Sequence, residues 1–230
     1  MKKTALTLVL GSLLVSGSAL AHTAGDILFR AGPIHVTANS ASRTQNMDKG
    51  MPEAQLKVAN NTQLGLTGTY FFTDNLGLEL LAATPFSHKI YANVPVLPSA
   101  FGLPANLGGG PVAKVKHLPP SLYAQYYFGD ANSVVRPYLG AGINYTRFFR
   151  PESTHAAVTN LSVKKHSVGP VANAGVDVKL TDNISFNAAV WYTNIRTTAK
   201  FDTPALNIYG HEVKIKLDPL VAFAGFGVRF

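Results

Sequence analysis

The feature that most constrains this chain is a period of two. From Gln63, Leu64, Leu66, Tyr70 and Phe72 alternate with Gln63, Gly65, Thr67 and Thr69. After Thr73-Asp74-Asn75 the apolar set is Leu76, Leu78, Leu80 and Ala82, opposite Gly77 and Glu79. Leu122, Ala124, Tyr126 and Phe128 alternate with Ser121, Tyr123, Gln125 and Tyr127. Val135, Leu139, Ala141, Ile143 and Tyr145 then oppose Arg136, Tyr138, Gly140, Gly142 and Asn144. Val168, Ala172, Ala174, Val176 and Val178 are set against Asn173, Asp177 and Lys179. Ile184, Phe186, Ala188, Val190 and Tyr192 are set against Ser185, Asn187, Trp191 and Thr193. With an opening strand around Ile27 to Val36 and a closing one over roughly Glu212 to Phe230, the pattern predicts eight half-buried β-strands.

Connection lengths alternate as well. Turns near 74, 131 and 182 are short and carry Asp, Asn and Gly, whereas those near 38–60, 92–114, 150–165 and 199–211 are long. An even number of strands, with short turns at one end and long loops at the other, describes an all-β, eight-stranded antiparallel transmembrane barrel of the bacterial outer membrane. A soluble lipocalin-like barrel has the opposite phase, with apolar side chains inside and charges outside. Here Gln, Asn, Glu, Arg, Asp, Lys and Gly gather on one face, and an eight-stranded lumen has room for such small or paired groups. Aromatic residues cluster near strand ends as interfacial girdles (Tyr70, Phe71, Phe72, Tyr126, Tyr127, Phe128, Tyr145, Phe148, Phe149). The mean hydropathy, +0.12, fits a wall whose two faces average out.

Residues 1–21 read as a cleaved signal peptide, with Lys2 and Lys3, an apolar stretch from Ala5 to about Val15, and Ala19-Leu20-Ala21 at the cleavage site. Residues 22–230 then form the barrel domain. No later stretch has the run of about 18 apolar residues that a membrane helix needs. With no cysteine there is neither a disulfide scaffold nor a thiolate metal site. The seven histidines have neither metal-ligand spacing nor a nucleophile pattern, and Gly108-Gly109-Gly110 lacks the lysine and serine of a phosphate loop. No cofactor, metal or enzymatic activity is expected. Removing Lys2 and Lys3 from the 20 basic residues leaves 18 against 12 acidic ones, a net +6. Most bases (Arg43, Lys49, Lys57, Lys89, Lys114, Lys116, Arg147, Arg150, Lys164, Lys165, Arg196, Lys200, Lys214, Lys216) lie toward the long-loop end. There they suit outer-membrane lipid and the phosphates of lipopolysaccharide rather than nucleic acid, which an exported barrel rarely meets.

Several segments resemble the outer membrane protein W family: His22–Asp26 with Arg30-Ala31-Gly32, Asn61–Thr67, Glu79–Phe86, and Leu118–Leu122 with Gln125-Tyr126-Tyr127. Gly142–Thr146 with Phe148-Phe149, Ala189–Tyr192 and Asp218-Pro219 extend the likeness over nearly the whole mature chain. That family includes the alkane-uptake protein AlkL. The resemblance implies a barrel with a hydrophobic lumen that lets small hydrophobic solutes pass and escape sideways through the wall.

Leu81 and Trp191 are large apolar side chains in the inward, otherwise polar phase. The residues alone fit an apolar constriction and a packed barrel core equally well; the resemblance implies the family's hydrophobic gate at these positions. Pro85 and the pair Pro119-Pro120 lie at similar heights on neighbouring strands, and proline has no N–H for the ladder, so a lateral opening is expected there. Pro33 and Pro219 mark a rival seam where first and last strands meet. Gly225, Val228 and the terminal Phe230 resemble the signal read by the barrel-assembly machinery, although Phe223 stands where that signal usually has a polar residue. The alternative function is a structural or receptor barrel whose loops bind external ligands such as bacteriocins without transport.

Overall fold

The computed structural model describes residues 23–38, 42–43, 55–93, 109–204 and 208–230; the expected signal peptide lies outside them. Its strands are β1 (Ile27–Thr37), β2 (Ser42–Arg43), β3 (Gln55–Val58), β4 (Asn61–Phe71) and β5 (Leu76–Ala83). They continue with β6 (Phe86–Asn93), β7 (Ala113–Leu118), β8 (Ser121–Tyr127), β9 (Val135–Ser153) and β10 (Thr159–Val163). The last are β11 (His166–Lys179), β12 (Ile184–Thr193), β13 (Arg196–Thr203), β14 (Ile208–Lys216) and β15 (Leu220–Arg229).

Eight of these close on themselves in the order β1-β4-β5-β8-β9-β11-β12-β15, antiparallel throughout. Closure joins the first and last strands, with Leu28 opposite Arg229 and Thr37 opposite Leu220. The Ile27 and Phe230 backbones exchange hydrogen bonds of 3.0 and 2.9 Å. Short connections at 72–75, 128–134 and 180–183 lie at the same end as residues 23 and 230, which makes that end periplasmic.

At the other end the wall continues upward. β6 pairs with β3 and β7, β7 runs along the upper part of β9, and β10, β13 and β14 form a second sheet. Here the polarity reverses. In the lower barrel Leu66, Leu80, Leu122, Ile143 and Val190 are exposed on the outer face, while Arg30, Glu79, Gln125, Asn144 and Asp177 are buried inside. In the upper wall Lys89, Lys200, Lys214 and Lys216 face outward, while Val115, Phe148, Ala199, Val213 and Ile215 are buried. Apolar-outward strands suit hydrocarbon and charged-outward strands suit water, so the reversal marks where the barrel leaves the bilayer.

The expected long loops therefore carry strands (β3, β7, β10, β13 and β14), which is a correction to their reading as loops. The closing strand expected over Glu212 to Phe230 is two: β14 ends at Lys216 and β15 starts at Leu220. Between them, Pro219 has no N–H and Asp218 takes a left-handed φ of 26°, neither of which a continuous ladder accommodates. The aromatic girdle also divides. Tyr70, Phe72, Tyr126, Phe128 and Tyr145 are exposed, but Phe71, Tyr127 and Phe148 are buried inside. Consecutive residues of a strand point to opposite faces, so adjacent aromatics cannot all reach lipid.

A cation placed on the lipid-facing part of the wall should be costly, and the upper face indifferent. We expect Leu122→Arg to lower folding stability in lipid vesicles by about 2–4 kcal/mol, and Lys214→Leu to change it by less than about 0.5 kcal/mol. Urea titration of both variants checks this.

Candidate functional site

The lumen has three parts: a sealed floor, an apolar chamber above it, and a break in the wall beside the chamber. The floor is built around Arg30 of β1. Its guanidinium pairs with Glu79 of β5 and Asp177 of β11, with Nε 3.1 Å from one Asp177 oxygen. It also donates to the Thr69 hydroxyl at 2.9 Å and the Tyr127 hydroxyl at 2.8 Å. Asn187 bridges Asp177 (2.8 Å) and the Tyr138 hydroxyl (2.9 Å). The rings of Tyr127 and Tyr138 lie 4.8 Å apart. Gly175 makes room for this packing, because a Cβ there would come 2.4 Å from Cζ of Tyr138. All the ionic members are at most 2% exposed, so this is a buried, ion-paired plug across the periplasmic half.

Leu81 and Trp191 sit directly on that floor. The Trp191 indole Nε1 donates to the Tyr123 hydroxyl at 2.9 Å, and that hydroxyl donates to Glu79. Phe223 turns inward and meets the Trp191 ring edge-on, with centroids 6.1 Å apart. Its unusual place in the C-terminal signal is thus filled by a packing role. Above lies a partly open apolar recess lined chiefly by Ile34, Val36, Leu81, Phe86, Trp191 and Val221.

Phe86, His88 and His117 stack at the chamber's upper edge. His117 lies 5.3 Å from Phe86 and 4.9 Å from His88, and Phe148 caps it at 5.7 Å. These histidines belong to β6 and β7, above the lipid-facing belt. Burial pushes the His117 imidazole down to about 3, and the nearby His88 ring acts in the same direction. Burial also lowers His88, against the opposing effect of its 2.6 Å hydrogen bond with the Ala59 carbonyl.

The wall breaks where the prolines stand. Leu81 pairs with Ser121, and the next rung is Phe86 with His117, so residues 82–85 face the shorter segment 118–120 without ladder pairs. On its other side the Pro119-Pro120 segment stays in register with β9, where Tyr145 N donates to the Pro120 carbonyl at 2.9 Å. The discontinuity therefore belongs to the β5/β6 side. Pro119 lines the chamber, as do Ala83, Phe86, His117 and Ser121 from the two edges; Pro120 is half-buried and Pro85 is exposed on the outer face. At the rival seam Pro33 interrupts the β1–β15 pairing between Ala31–Phe226 and Ile34–Phe223 with no change of register. Opposite Pro219, Thr193 and Ile195 keep backbone hydrogen bonds to the facing segment.

Residues 23–230 match the model of the OmpW family. The chain belongs to that family. Outer membrane protein W of Vibrio cholerae is 41% identical over the full length of both proteins. The crystal structure of outer membrane protein OprG from Pseudomonas aeruginosa superposes with a TM-score of 0.80 at 35% identity, covering 91% of this chain and 98% of that one. Outer membrane protein AlkL of Ectopseudomonas oleovorans is more distant, 24% identical over 78% of this chain and 71% of its own. This OmpW-family barrel resides in the bacterial outer membrane.

The site thus unites Leu81, Trp191 and Pro119, with Pro85 and Pro120 at the rim of the break. The residues expected to form the terminal signal lie apart from it: Val228 and Phe230 are exposed on the outer face, and Gly225 packs against the Ala31 backbone. The sequence pattern alone does not single out the plug residues or His117. The signal available for the plug was the inward phase of Arg30, Glu79 and Asp177, the charged positions least at home in a membrane wall.

Two outcomes follow from the electrostatics. Arg30→Ala leaves two buried carboxylates unpaired and should cost about 3–5 kcal/mol in vesicle unfolding, most of it recovered by the triple variant Arg30→Met, Glu79→Gln, Asp177→Asn. For His117, the lowered folded value means its contribution to stability is complete above the unfolded value of 6.5 and declines as pH falls toward about 3. Ring carbon shifts of labelled His117 should accordingly stay flat from about pH 8 to about pH 4; a midpoint near the ordinary histidine value would show the ring open to water.

Proposed function

We propose that this barrel passes small hydrophobic molecules from outside the cell into the outer membrane. Solutes enter between the upper strands, rest against Leu81 and Trp191, and leave sideways at Pro85 and Pro119-Pro120. The observation that carries this reading is the coincidence of three levels: apolar lining ends, an ion-paired floor begins, and the wall ladder lapses, all around Leu81. A solute without hydrogen-bonding groups gains nothing in the plug, whose ionic groups are already paired with one another. The wall break, by contrast, opens toward acyl chains in which the solute is equally soluble. Family resemblance implies the same traffic, and the role needs no catalysis.

The partners fit the same reading. Arg147, Lys114, Lys116 and Arg196 follow the outward aromatic belt upward, where lipopolysaccharide phosphates lie. Gly225 and Val228 of β15, with Phe230 just beyond it, are the residues that would be read by the barrel-assembly machinery.

Trp191 is the protein's single tryptophan, which makes it a reporter at the constriction. A brominated alkane should quench its fluorescence saturably in the folded barrel, and cells carrying the protein should take up an alkane faster than cells lacking it. Pro85→Ala, which supplies an N–H to the interrupted seam, should leave quenching intact and slow uptake several-fold. Uptake no faster than in the deletion strain sinks the channel reading and leaves the receptor barrel. Normal uptake by Pro85→Ala removes the sideways exit alone.

A further inference from the structure

The chamber is apolar except for a few polar side chains, His117, Ser121, Asn144 and Thr193, and nearly all of these are engaged. Asn144 donates to the Pro119 carbonyl at 3.2 Å and to the Ser121 hydroxyl at 2.9 Å, and it accepts from Thr146 at 2.7 Å. Thr193 reaches the Pro170 carbonyl at 3.5 Å. His117 is the exception. Its Nδ1 is buried, and no protein group hydrogen-bonds to it. Other buried side-chain atoms without a partner among the described residues belong to Ser87, Gln125, Asn173, Ser185 and Asp218, none of which lines this chamber.

The surroundings of His117 make the vacancy specific. Phe86 and His88 of β6 lie nearly parallel to the ring on one side, at interplanar angles of 19° and 17°, and Phe148 of β9 flanks its other side at 5.7 Å, so its edge is what remains for polar contact. His88 offers no substitute, since its Nδ1 is engaged with the Ala59 carbonyl at 2.6 Å. A buried polar atom left unpaired is a net loss to the empty protein, and one that a bound molecule can recover. The ring is held neutral by its burial, so it presents one donor and one acceptor nitrogen. A carbonyl on the ligand suits the donor alone, whereas a hydroxyl suits either nitrogen.

We propose that His117 is the specificity-determining residue of the chamber, and that the preferred solutes are small hydrocarbons bearing one hydroxyl group, such as phenols and alcohols. The inference rests on the chamber being a solute site, as proposed above, and adds the polar end of the ligand. The hydrocarbon part lies against Leu81, Trp191 and Val221, and the hydroxyl meets His117 at the level of the wall break. A site built to hydrogen-bond a hydroxyl discriminates against the analogue lacking it, because its own polar atom is then left unmet.

The test uses 4-bromophenol and 4-bromotoluene, which have nearly the same shape and each carry a heavy atom that quenches Trp191. Dissociation constants are measured by fluorescence on the full barrel in vesicles for wild type, His117→Phe and His117→Gln. Each compound's partitioning into lipid is the same for every variant, so comparing the ratio of the two constants between proteins cancels it. We expect His117→Phe to shift that ratio against the phenol by about 10-fold, equivalent to 1.4 kcal/mol, with the affinity for bromotoluene within about 2-fold of wild type. His117→Gln, which keeps a donor and an acceptor, should restore most of the ratio even if ring packing is disturbed. A ratio unchanged in His117→Phe overturns the inference while leaving the apolar chamber in place. Absence of saturable quenching by bromotoluene in wild type overturns the chamber reading and this inference with it.

Discussion

Inside a bilayer no water is available to the peptide backbone, so each N–H and C=O of the wall must find its partner within the sheet. That demand forces β1 to meet β15 and fixes a closed cylinder of eight strands. Closure at this small number has a consequence for the inside. The lumen is too narrow for a water column, so whatever points inward must pack or pair. Arg30 lies among the buried carboxylates of Glu79 and Asp177, with Thr69 and Tyr127 taking further N–H groups, which is how a charge survives there. The same demand explains the position of the wall break. Proline brings no N–H, so Pro85 and Pro119 leave rungs of this seam that cannot form, while Pro120 keeps its carbonyl bond to β9. Such a lapse is tolerable where the wall meets the interface and a protein chamber lies behind it, and would be far costlier in mid-membrane.

The reversal of polarity along the wall organises the rest. Strand β9 runs for 19 residues and belongs to both regimes. Its lower half turns Leu139 and Ile143 to lipid and Asn144 inward; its upper half turns Arg147 to water and Phe148 inward. One ladder thus carries an apolar outer surface that becomes an apolar inner surface. Leu81, Trp191 and Phe223 stand where the two exchange, which is why a constriction there is apolar although the floor beneath it is ionic.

Much of this was legible in the sequence because a period of two is a local signal. Each residue's phase follows from its neighbours, so the lipid face, the short turns and the inward position of Leu81 and Trp191 needed no tertiary information. What the period lacks is partner identity. Arg30 and Asp177 are 147 residues apart, and no spacing rule joins them. The upper strands were hidden for another reason. They alternate as well, but with the opposite phase and with breaks at Pro85, Pro119-Pro120 and Pro219, so they read as loops punctuated by turn residues. Phe223 departs from the terminal motif, and the reason lies in the Trp191 ring on a neighbouring strand. His117 sat among six other histidines, and only its burial against Phe86, His88 and Phe148 distinguishes it.

For the proposed traffic, magnitudes favour the sideways route over the axial one. The chamber floor is tied down by a relay in which Trp191 donates to Tyr123, Tyr123 to Glu79, and Glu79 pairs with Arg30. Opening it axially means parting a buried ion pair, a change on the scale of about 3–5 kcal/mol when one partner is lost. The solute would then emerge into water, forfeiting about 0.8 kcal/mol for every methylene that had left it, or roughly 6 kcal/mol for an eight-carbon chain. Leaving through the wall incurs neither cost. No ladder pair has to break between residues 82–85 and 118–120, and one apolar surrounding is exchanged for another. What remains to be overcome is the movement of the side chains at the rim. A hydroxyl held by His117 adds the single polar contact that must be released before the molecule enters the membrane.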